Sequence, residues 1–382
     1  MVNAVPLSPK VSPSAAAQTL DDSINRAWLT PLPLRELSEA AFGEDADGTG
    51  IERSIGVIAK AGCLQWRTLP VPILFSQLVS MAEVNLPVAR LYEGHVNALR
   101  LVRALASPVI MTDVQRDADA GLLYGVWGAE GATALAVDGP VLVGGKRFAS
   151  GLGTVSRAVV TIGQGETVRL ALLLVTDVAR HRPETWRKTG MRATVSGDFD
   201  AGGLPLDALH WIGAPGDYLK EPGFIGGVWR IAAVQVGGTL GLLRAAADHL
   251  AILGRLGAEA QVTRLAPVLT RALAAADFTL RAAVCAEGPE GLRDPERAAS
   301  LSAQARLLTE DVGQDAIACV ERAVGLPHFD MDAPTGRMAR DLATYMRQAA
   351  RDALMHRSGS WALNQPGAYS KLLNSGGSDA GC

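Results

Sequence analysis

Apolar positions along this chain change their period twice. Between residues 34 and 106 they recur at helical spacing, broken by short stops such as Leu69-Pro70-Val71-Pro72. The clearest run, residues 86–105, puts Val88, Leu91, Tyr92, His95, Leu99 and Val102 at three- and four-residue intervals, which predicts an amphipathic helix with His95 on its inward stripe. From residue 109 to 212 the period shortens, and Gly-rich turns separate runs such as 140–143, 158–162 and 168–175, rich in Val, Leu and Ile, which predict strands. Turn signals recur roughly every ten residues with no long helical run among them, the spacing of an antiparallel barrel or sandwich. Pro215-Gly216 and Pro222-Gly223 then punctuate the chain, and four amphipathic helices are predicted over 229–255, 261–286, 295–324 and 336–356, lengths that suit an up-and-down bundle. The expected fold class is α+β. A disordered leader (1–30) precedes an N-terminal helical domain (31–108), a central antiparallel β domain (109–213), a C-terminal four-helix bundle (222–373) and a flexible tail (374–382).

Composition narrows the partners. With 48% hydrophobic residues in 382, the chain can bury one large core or several cooperating ones. Its 36 Lys and Arg against 39 Asp and Glu leave no cationic excess, and no basic run is interleaved with aromatics, so nucleic acid is not expected as a partner. Cys63, Cys285, Cys319 and Cys382 are scattered without metal-ligand spacing, which fits a reducing cytoplasm and neither a zinc site nor a disulfide framework. The most apolar helical stretch, 231–243, is shorter than the ~20 residues that cross a bilayer. No membrane span is expected.

Four short motifs carry candidate chemistry. They are Gly125-Val126-Trp127-Gly128-Ala129-Glu130, Gly144-Gly145-Lys146-Arg147-Phe148-Ala149-Ser150-Gly151, the 188–199 segment containing Gly190-Met191-Arg192-Ala193-Thr194-Val195-Ser196-Gly197, and Gly336-Arg337-Met338-Ala339-Arg340-Asp341. In this order, and with this arrangement of helices and strands, they resemble the acyl-CoA dehydrogenase superfamily. The resemblance implies a flavin, FAD or alternatively FMN. Phe148 stands where the family's aromatic covers the ring, and Ser150 where a hydroxyl bonds near flavin N5, a nitrogen whose protonation differs between redox states. Arg192 and Thr194 belong to the family's flavin-side strand. Trp127 replaces the usual flavin-contacting Thr, so contact there would run through backbone. Arg255 lies in the counterpart of a segment that reaches the pyrophosphate of a neighbouring subunit's FAD, and the family implies a homodimer or homotetramer.

The resemblance divides over the reaction. Dehydrogenation of an acyl-CoA or similar thioester needs a carboxylate base beside the flavin, and the family's spacing puts Ala349 at that position, leaving Asp352 or Glu221 as displaced alternatives. The related flavin monooxygenases need no such base and carry a flavin-side His in a helix similar to residues 92–99, which makes His95 the candidate. A third reading is a non-catalytic flavin or acyl-CoA binding protein of the same fold. Against these stand plainer readings: His95 as a hydrogen-bonded core histidine, Ser150-Gly151 as a strand end, and Arg337, Arg340 and Asp341 as a solvated helix face with local ion pairs.

Overall fold

The structure, a computed structural model, describes residues 32–47, 51–347, 350–367, 369 and 372. The expected leader and tail, Ala349 and Cys382 lie outside these.

Five helices open the described chain: α1 (Leu34–Asp47), α2 (Glu52–Lys60), α3 (Val71–Val84), α4 (Leu86–Leu105) and α5 (Pro108–Asp119). Prolines in the first turns of α3, α4 and α5 sit where a missing N–H costs nothing. Asn85 caps α4, its side-chain oxygen accepting from Val88 N at 3.2 Å. The same side chain donates towards Leu37 O and Ser54, and Glu44 accepts from Ser54 N at 2.9 Å, so one buried polar knot ties α1 and α2 to α4. Helix α5 corrects the sequence reading, which counted its residues with the strands. It buries only Val114 and Ala118, too narrow a stripe for the apolar period to register.

The strands are β1 (Leu123–Trp127), β2 (Ala136–Asp138), β3 (Val141–Val143), β4 (Gly145–Ala149), β5 (Val155–Ile162), β6 (Arg169–Leu174), β7 (His181–Arg182), β8 (Gly197–Asp200) and β9 (Leu209–Ile212). They form three sheets, ordered β1-β5-β6-β9, β4-β8-β7 and β2-β3. Strand β1 pairs with β5 in parallel, unlike the all-antiparallel arrangement expected. Residues 128–154 carry the chain out through the smaller sheets and back along β1 in the same sense, and apolar alternation does not encode strand direction. The larger sheet separates two cores: Ala158, Val160, Ala171 and Leu173 face one, while Val159, Leu170 and Leu172 pack with Leu99, Val102 and Val114 in the other. Burial on both faces explains why these strands read as unbroken apolar runs.

The C-terminal region is helical: α6 (Trp229–Ile252), α7 (Glu259–Glu287), α8 (Pro289–Arg293), α9 (Pro295–Val324), α10 (Pro334–Tyr345) and α11 (Arg351–Leu363). The fourth expected helix is therefore split, with Ala350 in left-handed backbone at the start of α11. Gly237, Gly238 and Gly241 bring α6 against the N-terminal helices, and a Cβ at Gly241 would stand 2.1 Å from Glu83 O. Among the described residues, no helix is long and apolar enough to cross a membrane. Because backbone cannot yield as a side chain can, Gly241→Ala should lower stability by about 1–3 kcal/mol. Gly56→Ala, in open space on α2, should leave stability unchanged or raise it. Parallel denaturant titrations compare the two; equal midpoints would contradict the close approach.

Candidate functional site

Helix α4, the end of β4, the 186–196 segment, α9 and α10 enclose a cavity of about 870 Å³, within the range of cofactor and substrate clefts. The β4 edge is set by Lys146, whose buried Nζ reaches Glu130 Oε1 at 2.5 Å and Thr161 Oγ1 at 2.9 Å. Removing Glu130 would strand the buried Lys146 ammonium, so the pair fixes the strand's register more than it adds stability. Beyond Lys146 the pairing with β8 slips by a bulge before Ala149. Phe148 sits in it at φ +53° with its ring half exposed on the cavity wall, edge-on to Trp186 at 6.1 Å. Bulges re-aim side chains in this way beside functional sites.

Strained backbone gathers at the same wall. Of four non-glycine residues with left-handed backbone among the described residues, Phe148 and Met191 line the cavity and Val195 lies between two residues that do. Each costs roughly 1–2 kcal/mol and persists only where surroundings over-determine it. Those surroundings are visible. Met191 N donates to Asp341 Oδ1 at 2.5 Å, Gly151 N to Thr194 O at 2.8 Å and Leu152 N to Val195 O at 3.1 Å.

Three hydroxyls follow one another along this wall. Thr194 Oγ1 and Ser196 Oγ are 2.7 Å apart, and Ser196 Oγ donates to Ser150 Oγ at 3.1 Å. Thr194 Oγ1 also donates to Met191 O at 2.7 Å, and Ser150 Oγ has Phe148 O at a long 3.5 Å. A hydroxyl is thus held at the cavity surface by a row whose members polarise one another.

Of the residues expected from sequence, Phe148, Ser150 and Thr194 meet on this wall. Trp127 does not reach it. Its ring is buried on Phe199, and Nε1 donates to Ser150 O at 3.1 Å, bracing Ser150 from behind while Val126 and Gly128 line the cavity. Arg192 and Arg255 are exposed and off the wall. His95 is buried on the other side of α4, with Nδ1 accepting from Tyr124 N at 3.1 Å and Nε2 facing Leu64 O at 2.9 Å. The neutral Nε2–H tautomer satisfies both. Burial, with the nearby Arg103 charge against the opposing pull of Leu64 O, holds the ring down at about 4. With both nitrogens committed to backbone, His95 joins α4 to β1 and to the 61–70 connection rather than facing the cavity.

The solvated-face reading of 337–341 is corrected as well: Asp341 is 1% exposed and Arg337 8%. Burial raises the Asp341 carboxyl to about 6 despite Arg337 and the Met191 N–H. Neither displaced-base candidate lines the cavity, since Glu221 accepts from Ile225 N and Gly226 N and Asp352 is exposed on α11. The wall carboxylates are instead Glu93, buried and 3.0 Å from Arg90, and Glu321. Tyr345 also faces inward, its buried hydroxyl unpartnered and pushed above the usual phenol range by burial and by Glu93. Sequence reading missed Glu93, Ser196, Arg306 and Tyr345 as site residues; Ser196 alone had a signal, in its Thr-x-Ser-Gly context.

No protein-family profile and no curated protein matches the chain. Solved structures do match in fold. TdsC from Paenibacillus sp. A11-2, solved with FMN and indole, superposes with a TM-score of 0.75 at 16% identity over 89% of this chain and 97% of its own. A nitrososynthase from Micromonospora carbonacea var. africana gives 0.68 at 18% identity, over 91% and 97%. KijD3, in complex with FMN and a dTDP-amino-keto sugar, gives 0.69 at 17% identity, over 94% and 97%. The acyl-CoA dehydrogenase-like fold expected from the four motifs is the fold found.

Two titrations follow from these environments. The Asp341 carboxyl is held near 6 in the folded state against 3.8 otherwise, so the folded state binds the extra proton and stability falls as pH rises through that window. Asp341→Asn keeps an acceptor for Met191 N–H and should remove that fall, up to about 3 kcal/mol, in denaturant titrations from pH 4 to 7. An unchanged pH slope would refute the assignment. His95 works in the opposite sense, its folded value of about 4 against 6.5 making stability fall as pH drops between them. His95→Ala should abolish that component and, by orphaning two buried backbone groups, cost about 2–5 kcal/mol at neutral pH.

Proposed function

We propose that the protein is a flavin-dependent oxidoreductase acting on a small organic substrate, of the monooxygenase type. The observation that carries this reading is the Thr194-Ser196-Ser150 hydroxyl chain ending at the cavity beside Phe148. The wall fits a flavin on three counts. It offers an aromatic face held out by strained backbone, a hydroxyl at the end of a hydrogen-bonded row, and cations at Lys188, Arg340 and Arg347 for a phosphate. When bound, a flavin supplies hydride or electron transfer and, once reduced, reaction with oxygen. Ser150 would then bond the ring edge, Phe148 cover it, and Glu93, Arg90, Arg306 and Tyr345 orient the substrate from the facing side. FMN fits this set by itself. FAD is the alternative, and the exposed Arg255 would serve its pyrophosphate only across the interface of a homodimer or homotetramer.

Two observations favour monooxygenation. Ala349 carries no base, and the buried carboxylate on the wall, Glu93, is already paired with Arg90. The fold relatives solved with FMN and small aromatic or sugar ligands support the same direction. Acyl-CoA dehydrogenation is the second reading, which Glu93 or Glu321 would have to serve as base.

Titration of the flavin-free protein with FMN and with FAD should give saturable uptake, seen as a perturbed visible flavin spectrum; a protein that takes up neither would end both readings. Ser150→Ala should weaken uptake by up to about tenfold, the worth of one hydrogen bond. Anaerobic mixing of the loaded protein with acyl-CoA thioesters then separates the reactions. Bleaching supports the dehydrogenase; no bleaching, with oxygen-dependent product formation from supplied reduced flavin, supports the monooxygenase.

A further inference from the structure

Helix α4 has a second cavity on its opposite side, of about 190 Å³, bounded by the 63–74 connection and the start of α6. Arg67, Arg100, Arg103 and Arg230 all line it, against a single carboxylate, Glu287. Arg230 is only 2% exposed. Its Nη1 meets Glu287 Oε1 at 2.5 Å and its Nη2 meets Asn97 Oδ1 at 3.3 Å, which leaves Nε buried without a partner. Arg100 gives Nη2 to Gly223 O at 2.7 Å, and its Nε is likewise unpartnered. Arg103 stacks on Trp66 at 4.0 Å with Nη2 unpartnered, and Arg67 has both Nε and Nη2 unpartnered.

Buried guanidinium donors are normally paired, because an unsatisfied one bears the full desolvation cost. Here all four cations around one small space hold unused N–H groups, and one carboxylate cannot neutralise them. The strain is felt by the groups themselves: burial, and then the Arg230 charge, bring Arg100 down to about 10. Glu287, which burial alone would raise, is held below the ordinary carboxylate range by Arg230 and Arg100. The space would take about six waters at ~30 Å³ each, room for one compact anion with its remaining hydration. Forked guanidinium donors suit the paired oxygens of a carboxylate or phosphate.

We propose that this cavity binds a compact oxyanion, a phosphate or carboxylate group, held by Arg67, Arg100, Arg103 and Arg230. The site stands without the flavin reading. Asn97, which lines the larger cavity, bonds Arg230; because the larger cavity has its own cations for a flavin phosphate, the oxyanion here is a free or substrate-borne acid.

The test is calorimetric titration of the flavin-free full-length protein with sodium phosphate and with sodium acetate, at ionic strength matched with chloride. Saturable binding of at least one anion is expected. Arg67→Gln and Arg103→Gln, which break no hydrogen bond, should each weaken it by about tenfold or more, while Arg244→Gln, exposed on α6 and away from both cavities, should not. Should Arg103→Gln fail to fold, Arg67→Gln carries the comparison. No saturable binding, equal affinity in the wild type and both Arg variants, or equal weakening by Arg244→Gln would overturn the proposal. Repeating the titration with FMN or riboflavin present should leave the affinity unchanged; suppression by FMN but not by riboflavin would give the site to the cofactor's phosphate and overturn a separate oxyanion site.

Discussion

One clasp holds the functional region together: the Met191 N–H donated to the Asp341 carboxylate, across 150 residues of chain. Around it the 188–196 segment lies against α10 so closely that a Cβ at Gly190 would stand 2.0 Å from Arg340 O. The clasp is buried, so the carboxylate loses solvation and is compensated by the backbone N–H and Arg337. Together with the Gly151 and Leu152 N–H groups donated to Thr194 O and Val195 O, it keeps Met191 and Val195 in left-handed backbone and the hydroxyls of Thr194 and Ser196 beside Ser150.

Helix α4 is the shared wall of everything else. Glu93, Gly94 and Asn97 turn one side to the larger cavity, while His95, Leu99, Arg100 and Arg103 turn the other to the smaller one. This division follows from 3.6 residues per turn, and it explains why His95 and Glu93, two positions apart, have different fates. His95 satisfies backbone groups of Tyr124 and the connection after α2. Glu93 faces the cavity with Arg90 beside it. Both cavities are rich in cations, although the chain as a whole carries a net charge of -3. Positive charge is therefore concentrated inward, where low dielectric strengthens its action on an anionic ligand.

Much of this was legible in the sequence. The helix-strand-helix order, the inward stripe of α4 and most strands followed from apolar period, because side-chain burial repeats with backbone geometry. The four motifs pointed to Phe148, Ser150 and Thr194, which do share one wall. Helix α5 escaped because its buried stripe is two residues wide, and the parallel pairing of β1 escaped because alternation carries no direction.

Local sequence determined which residues could form each wall. Only the tertiary structure decided which walls face each other. A buried carboxylate at Asp341, a partnered His95, a braced Trp127 and four arginines gathered from positions 67, 100, 103 and 230 are facts of long-range packing. Their meaning lies in desolvation and in partners far along the chain, and neither is written in the period of a segment.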